Sequence, residues 1–138
     1  MKIKCINDSI SIKNSPQILV EWANNSELEI TVGKTYVVFA ISKYLGTIFY
    51  YILADESEDY PLAFPSNLFQ IIEKKSSKYW ITSLNEFKNL EDIEIENGQI
   101  ISFKEWALKG DKFYEDLLEE KREVVKIFNS YREAILNE

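Results

Sequence analysis

The chain has 138 residues, 46% apolar and 28% charged, with only four glycines and three prolines. That is enough chain for one domain with one core, and it excludes a disordered or low-complexity polypeptide. A net charge of −7 and a pI near 4.8 set the surface against phosphate backbones, so no nucleic-acid binding is expected; solvation and the attraction of a basic partner remain as uses for the charge.

Taken in order, residues 1–103 read as β-rich and 104–138 as helical, within a single domain. Strands are expected at about 2–6, 17–22, 27–31, 34–43 and 47–54. In the fourth, Thr35, Val37, Phe39 and Ile41 alternate and should share one face. "YLG" then joins the fourth and fifth strands as a hairpin, with Gly46 free to take a positive φ. Ile48, Tyr50 and Ile52 alternate with Phe49, Tyr51 and Leu53, so both faces of the fifth strand are apolar and it should be covered on both sides. "ADESEDYP" at 54–61 is a loop, Pro65 fixes a turn with a short 3₁₀ piece at Ser66 or Asn67, and "LFQIIE" returns to the sheet. "KYWITSL" at 78–84 and "NGQIISF" at 97–103 are the last strand candidates. "SFKEWALKG" is a short helix stopped by Gly110, after which Asp111 can cap a long helix from about 112 to 136. Its stripe is Phe113, Leu117, Leu118, Val125, Phe128, Tyr131 and Ile135, with Glu115, Glu119, Glu123 and Lys126 outside it. The stripe should pack on the sheet.

The search for chemistry is mostly subtractive. There is no histidine, which removes the usual general base and the commonest metal ligand. The single cysteine, Cys5, permits no internal disulfide and no thiolate cluster, and it suits a reducing compartment. "NDS" at 7–9 interrupts any apolar signal segment, and the longest apolar run, Tyr36 to Ile41, is too short to span a bilayer; a cytoplasmic protein is expected.

Gly33-Lys34-Thr35 has the tail of a phosphate-binding loop. The glycine required five residues before Gly33 is Leu28, and a strand rather than a helix follows, so the stretch reads as a tight turn. Asp55, Ser57 and Asp59 have the spacing of the first three ligands of an EF-hand loop. Tyr60 stands where its glycine belongs and Ser66 where its bidentate glutamate belongs, so calcium is not expected. No cofactor and no metal are expected.

Two acidic clusters remain, Asp55, Glu56, Glu58 and Asp59 beside Tyr60, and Glu91, Asp92, Glu94 and Glu96. Each reads either as a solvated turn or as a patch that meets lysines and arginines of a partner. Tyr79 and Trp80 are adjacent in a strand and must face opposite sides; one fills the core and the other is free for contact, and the pattern does not say which.

Over about residues 27–73, "VGKTYVVFAIS…GTIFYYILADES…YPLAFPSNLFQIIE" resembles small bacterial SH3-like β-barrel domains. The segment that follows, "KYWITS…W…FYEDLLE…F..Y", is similar to small immunity proteins of bacterial polymorphic and contact-dependent toxin systems. The resemblance implies an α+β fold with an SH3-like antiparallel barrel or twisted sheet and a packed C-terminal helix. It implies no catalysis, and binding of a cognate toxin domain with a basic surface. Under it, the expected partner-binding residues are Asp55, Glu56, Glu58, Asp59, Tyr60, Tyr79 and Trp80. The alternatives are a phage- or mobile-element-encoded regulatory or adaptor module with an SH3-like barrel, and a carboxylate-dependent enzyme.

Overall fold

The computed structural model describes residues 1–7, 29–55, 59–81 and 95–138. Among the described residues seven strands come first, in this order: β1 (Lys2–Cys5), β2 (Thr35–Tyr44), β3 (Thr47–Ile52), β4 (Leu62–Pro65), β5 (Phe69–Glu73), β6 (Trp80–Ile81) and β7 (Ile100–Phe103). A 3₁₀ turn, Ser66–Leu68, lies between β4 and β5 where Pro65 was expected to place it. Three helices follow, α1 (Lys104–Lys109), α2 (Asp111–Leu118) and α3 (Arg122–Leu136). The expected α+β order is therefore present: an antiparallel sheet, then packed helices. The expected strand at 17–22 and the first two residues of the one at 27–31 fall outside the described residues, as does the end of the strand expected at 78–84; residues 29–31 are described and form no strand, a correction to that expectation, because they lead into the turn at Gly33.

Among the described residues the sheet does not close into an SH3-like barrel, which corrects the expectation from the resemblance. Its order is β4-β3-β2-β1-β5, with β7 also on β2 and β6 on β7. β4 and β5 are neighbours in sequence yet stand at opposite ends of this path and do not pair. Between them the 3₁₀ turn redirects the chain after Pro65, which has no N–H to offer a further ladder bond.

β2 organises the rest. On one edge it pairs with β3, and on the other with β1 through Thr35–Val37 and with β7 through Ile41 and Ser42. The β2–β3 register shifts between Val38 and Ala40, so Phe39 is an extra residue in the ladder. The bulge changes which side chains share a face. Tyr36, Val38 and Ile41 belong to one core, whereas Phe39 and Ala40 both belong to the other. The expected face of Thr35, Val37, Phe39 and Ile41 is thus broken at Ile41, because one inserted residue reverses the two-residue period. Ser102 of β7, completely buried, donates its hydroxyl to the Phe39 carbonyl at 2.8 Å. β3 is covered on both sides as expected: Tyr50 and Ile52 enter the first core and Tyr51 the second, against which Leu53, just beyond the strand, also packs. Its hairpin to β2 has Leu45 at φ 47° and Gly46 at φ 81°, the two positive values that a type I′ turn requires.

The first core lies under β1, β2, β3 and β5 and is closed by Leu68, Phe69 and Trp80. The second is aromatic and belongs to the helices. Trp106 on α1, with no exposed surface, meets Tyr51 edge-to-face at 5.0 Å and stacks on Tyr114 at 5.5 Å and on Phe113 at 5.7 Å. Phe103 stacks on Tyr131 at 4.1 Å, and Phe39 meets Phe128 at 5.7 Å. The helical third therefore sits on the sheet, and no helix among the described residues is long and apolar enough to cross a membrane.

The single helix expected over 112–136 is two. The Glu120 amide donates to the Leu117 carbonyl and the Lys121 amide to that of Asp116, the paired bonds of a Schellman cap, with Glu120 at φ 57° in the position glycine prefers. Asp116 holds the elbow through Lys112 at 3.0 Å and Lys121 at 2.8 Å. The break resets the helical register. Val124 is buried in place of the expected Val125, which is half-buried, and Leu118 turns outward at 43% exposure. Asp111 is the first residue of α2 and makes no side-chain cap; Gly110, at φ 60°, occupies the cap position. An acid in the first turn still complements the helix dipole.

Two stability measurements follow from this packing. Phe128→Ala should cost about 3–5 kcal/mol in denaturant unfolding, while Leu118→Ala should change it by less than about 0.5 kcal/mol. Glu120→Gly should stabilise the protein by roughly 0.5–1 kcal/mol, because glycine removes the left-handed strain at some cost in unfolded-chain entropy. A loss of stability in Glu120→Gly would mean the elbow is held by something other than its backbone cap.

Candidate functional site

Lys34 does not present its ammonium for a phosphate. The Lys34 amide closes a turn onto the Thr31 carbonyl at 3.1 Å, and Gly33, at φ 89°, donates its amide to the Cys5 carbonyl at 2.8 Å. The Lys34 ammonium meets Asp55 Oδ1 at 2.6 Å. Thr31 Oγ1 donates to Asp55 Oδ2 at 2.6 Å and the Tyr36 hydroxyl to Oδ1 at 2.8 Å. Asp55 is also fixed by its own amide, which donates to the Glu29 carbonyl at 2.9 Å. Both carboxylate oxygens are thus occupied from within the chain, which removes Asp55 as a first calcium ligand and makes it a clamp across the turn that enters β2. Burial alone would raise the Asp55 carboxyl, but the bonds from Lys34, Thr31 and Tyr36 outweigh it and hold the group below its ordinary value. The same clamp, with burial as the larger cause, pushes the Tyr36 hydroxyl up to about 12.

The remaining expected contact residues are distributed unevenly. Glu56 and Glu58 lie outside the described residues, as do Glu91, Asp92 and Glu94 of the second acidic cluster; Glu96 is exposed. Trp80 is 1% exposed and belongs to the first core, so it is the core member of its pair. Tyr79 is half-buried, edge-to-face on Tyr131 at 5.6 Å with the Lys78 ammonium over its ring at 5.1 Å. Its neighbour Tyr131 has its hydroxyl pushed up to about 12, by burial first and by its bond to Glu105 second.

Asp59 and Tyr60 come together in a groove of about 420 Å³ against the α2–α3 elbow. The loop they occupy is anchored by Tyr114 of α2, whose hydroxyl donates to the Pro61 carbonyl at 2.7 Å. Tyr60, Leu117 and Val125 give the groove an apolar floor, and Asp59, Glu120, Arg122 and Lys126 give it a rim of both signs. Tyr79 is not part of its lining. Arg122, Lys126 and Asn129 had no signal in the sequence, because they converge only once the Schellman cap turns α3 back along α2.

Among the described residues no group of three or more cysteines, aspartates and glutamates is placed to hold a metal. No protein-family model matches the chain, and no match is found among curated proteins or among solved structures.

The clamp has a signed pH dependence. Since the folded carboxyl titrates below its ordinary value of 3.8, the stability it contributes is complete above that value and is lost as the pH falls through the lower folded value. Asp55→Asn should cost roughly 1–2 kcal/mol at neutral pH, allowing for partial solvent screening, and should flatten the acid limb of the stability profile. Urea unfolding from pH 6 down to pH 2 checks both; a variant profile parallel to the parent's would remove Asp55 from the acid transition.

Proposed function

We propose that the protein acts by binding another protein, as a non-enzymatic stoichiometric inhibitor of a toxin domain with a basic surface, in the manner that the resemblance to immunity proteins implies. The observation that supports this reading best is the groove at the elbow. An apolar floor inside a charged rim is the anatomy of a protein-contact surface, where a buried aromatic anchor dominates and rim charges steer. Tyr60 occupies the anchor position and Asp59 the rim.

The acidic loop enters this proposal in a reduced form. Asp55 is committed to Lys34, Thr31 and Tyr36 and serves the fold. Asp59 is the exposed acid of that loop among the described residues. Tyr79, half-buried and away from the groove, is a second contact candidate, and Trp80 is left to the core. The alternative, a phage- or mobile-element-encoded regulatory or adaptor module, stands beside this reading without its barrel, and the identity of the captured partner separates the two.

The test is capture of a partner from the source cell with the wild-type chain, followed by stopped-flow kinetics on variants. Tyr60→Ala should speed dissociation by about tenfold or more with little change in association. Asp59→Lys should slow association of a basic partner and reverse part of its salt dependence. Unchanged rates in both variants would exclude the groove as the contact surface, and failure to capture any protein would remove the inhibitor proposal.

A further inference from the structure

A second cavity, of about 260 Å³, lies where the C-terminal end of α3 meets β1 and the end of β5. Met1, Val37 and Ile135 supply its apolar wall. Its polar wall holds three lysines, Lys2, Lys75 and Lys78, against two glutamates, Glu73 and Glu138. A lysine majority is notable in a chain whose net charge is −7. Two of the lysines come from one run, Lys74-Lys75-Ser76-Ser77-Lys78, the most basic stretch among the described residues.

The glutamates are already engaged. Glu138 Oε1 accepts from the Ser77 hydroxyl and from the Lys78 amide, both at 3.0 Å, and this fixes the 76–78 backbone against the end of α3. Glu73 lies 3.9 Å from Lys2, a loose pair at an exposed position. Lys75 makes no ion pair among the described residues.

Ser76 is the decisive residue. It is 6% exposed and lines the cavity, and its hydroxyl has no hydrogen-bond partner among the described residues. A buried hydroxyl without a partner costs the fold its desolvation. The indole N–H groups of Trp80 and Trp106 are also without partners, but they lie within the two packed cores. Ser76 is the one of these three residues that lines the cavity, beside the three lysines, and its covered hydroxyl reaches the cavity by rotation of the side chain.

We propose that this cavity is a binding site for a phosphate-type oxyanion, with Ser76 Oγ donating to one oxygen, Lys75 supplying the uncommitted charge, and Lys2 and Lys78 turning to the anion from Glu73 and from the Tyr79 ring. Lysine acts as a point charge and suits a tetrahedral, multiply charged group approached from several directions, whereas a planar carboxylate is best met by the paired N–H groups of arginine. The volume lies below the range of about 300–1,000 Å³ usual for larger organic ligands, and fits a free phosphate or a small phosphate monoester.

The experiment titrates inorganic phosphate, and separately glycerol 3-phosphate, into the full chain at constant ionic strength, following the amide resonances of residues 75–78. Both anions should give saturable shifts, with a dissociation constant of about 1 mM or tighter for at least one of them. Tighter binding of glycerol 3-phosphate would identify a monoester that uses the apolar wall; equal or tighter binding of phosphate would identify the free ion. Ser76→Ala and Lys75→Gln should each weaken binding by about tenfold. In phosphate-free buffer Ser76→Ala should melt at the parent's temperature or higher, since it removes an unsatisfied hydroxyl and breaks no bond, so loss of binding there is not loss of fold. Shifts that stay linear with concentration, that acetate reproduces equally, or that persist undiminished in both variants would overturn the assignment.

Discussion

Everything in this fold depends on one residue too many in β2. The sheet has to close two cores, one beneath β1 and β5 and one beneath the helices, and β2 is the strand that runs through both. A regular strand of ten residues would keep each face constant along its length. With Phe39 bulged, the strand instead gives two successive side chains to the helical core and then returns Ile41 to the other. The bulge also bends the strand, which lets β1 take the start of one edge and β7 the end of it. The Ser102 hydroxyl on the Phe39 carbonyl couples that bend to β7, and β7 leads directly into α1. The placement of the helical layer, and with it the elbow groove, follows from where this irregularity falls.

The same feature explains why the barrel expectation failed. The hairpin at Leu45-Gly46, the 3₁₀ turn after Pro65 and the Asn97-Gly98 turn were all legible, because each is written in a few adjacent residues with a conformational reason. Closure is different. It needs the last strands to meet the first, which depends on accumulated twist and bend, and no local residue reports it. A bulge is equally silent in sequence: "TYVVFAIS" alternates well enough to read as regular, and only the pairing partner Tyr51 shows that Phe39 has been skipped. The helix break was hidden for a related reason. Glu120 is a poor left-handed residue, and no glycine or proline punctuates "LLEEKREV", so periodicity carried across it.

The candidate site divides along the same line. Tyr60 and Asp59 were named from sequence because an aromatic beside acids in a loop is a recognisable combination. Arg122, Lys126 and Leu117, which complete the groove, belong to two helices that the sequence read as one. Asp55 shows the reverse error. It looked like part of an exposed acidic patch, yet its ligands Thr31, Lys34 and Tyr36 lie 24, 21 and 19 residues away in the chain, where no spacing rule looks for them.

Net charge was the property that composition supplied most readily, and it says least about where anions and cations bind. At physiological ionic strength a charge is screened over about 8 Å, so a side chain responds to its own neighbourhood and not to the total. The elbow groove has a rim of both signs, and the cavity beside α3 has a majority of lysines, in a chain that is acidic as a whole. The long-range field then acts on approach, favouring cationic partners and slowing anionic ones, while the short-range arrangement sets which of them stays. A small anion that reaches the Ser76 cavity does so against the average field of the molecule. Its retention must rest on contacts made inside the Debye length, by the hydroxyl and the three ammonium groups, and those contacts are what give such a site selectivity over the anions that merely pass the surface.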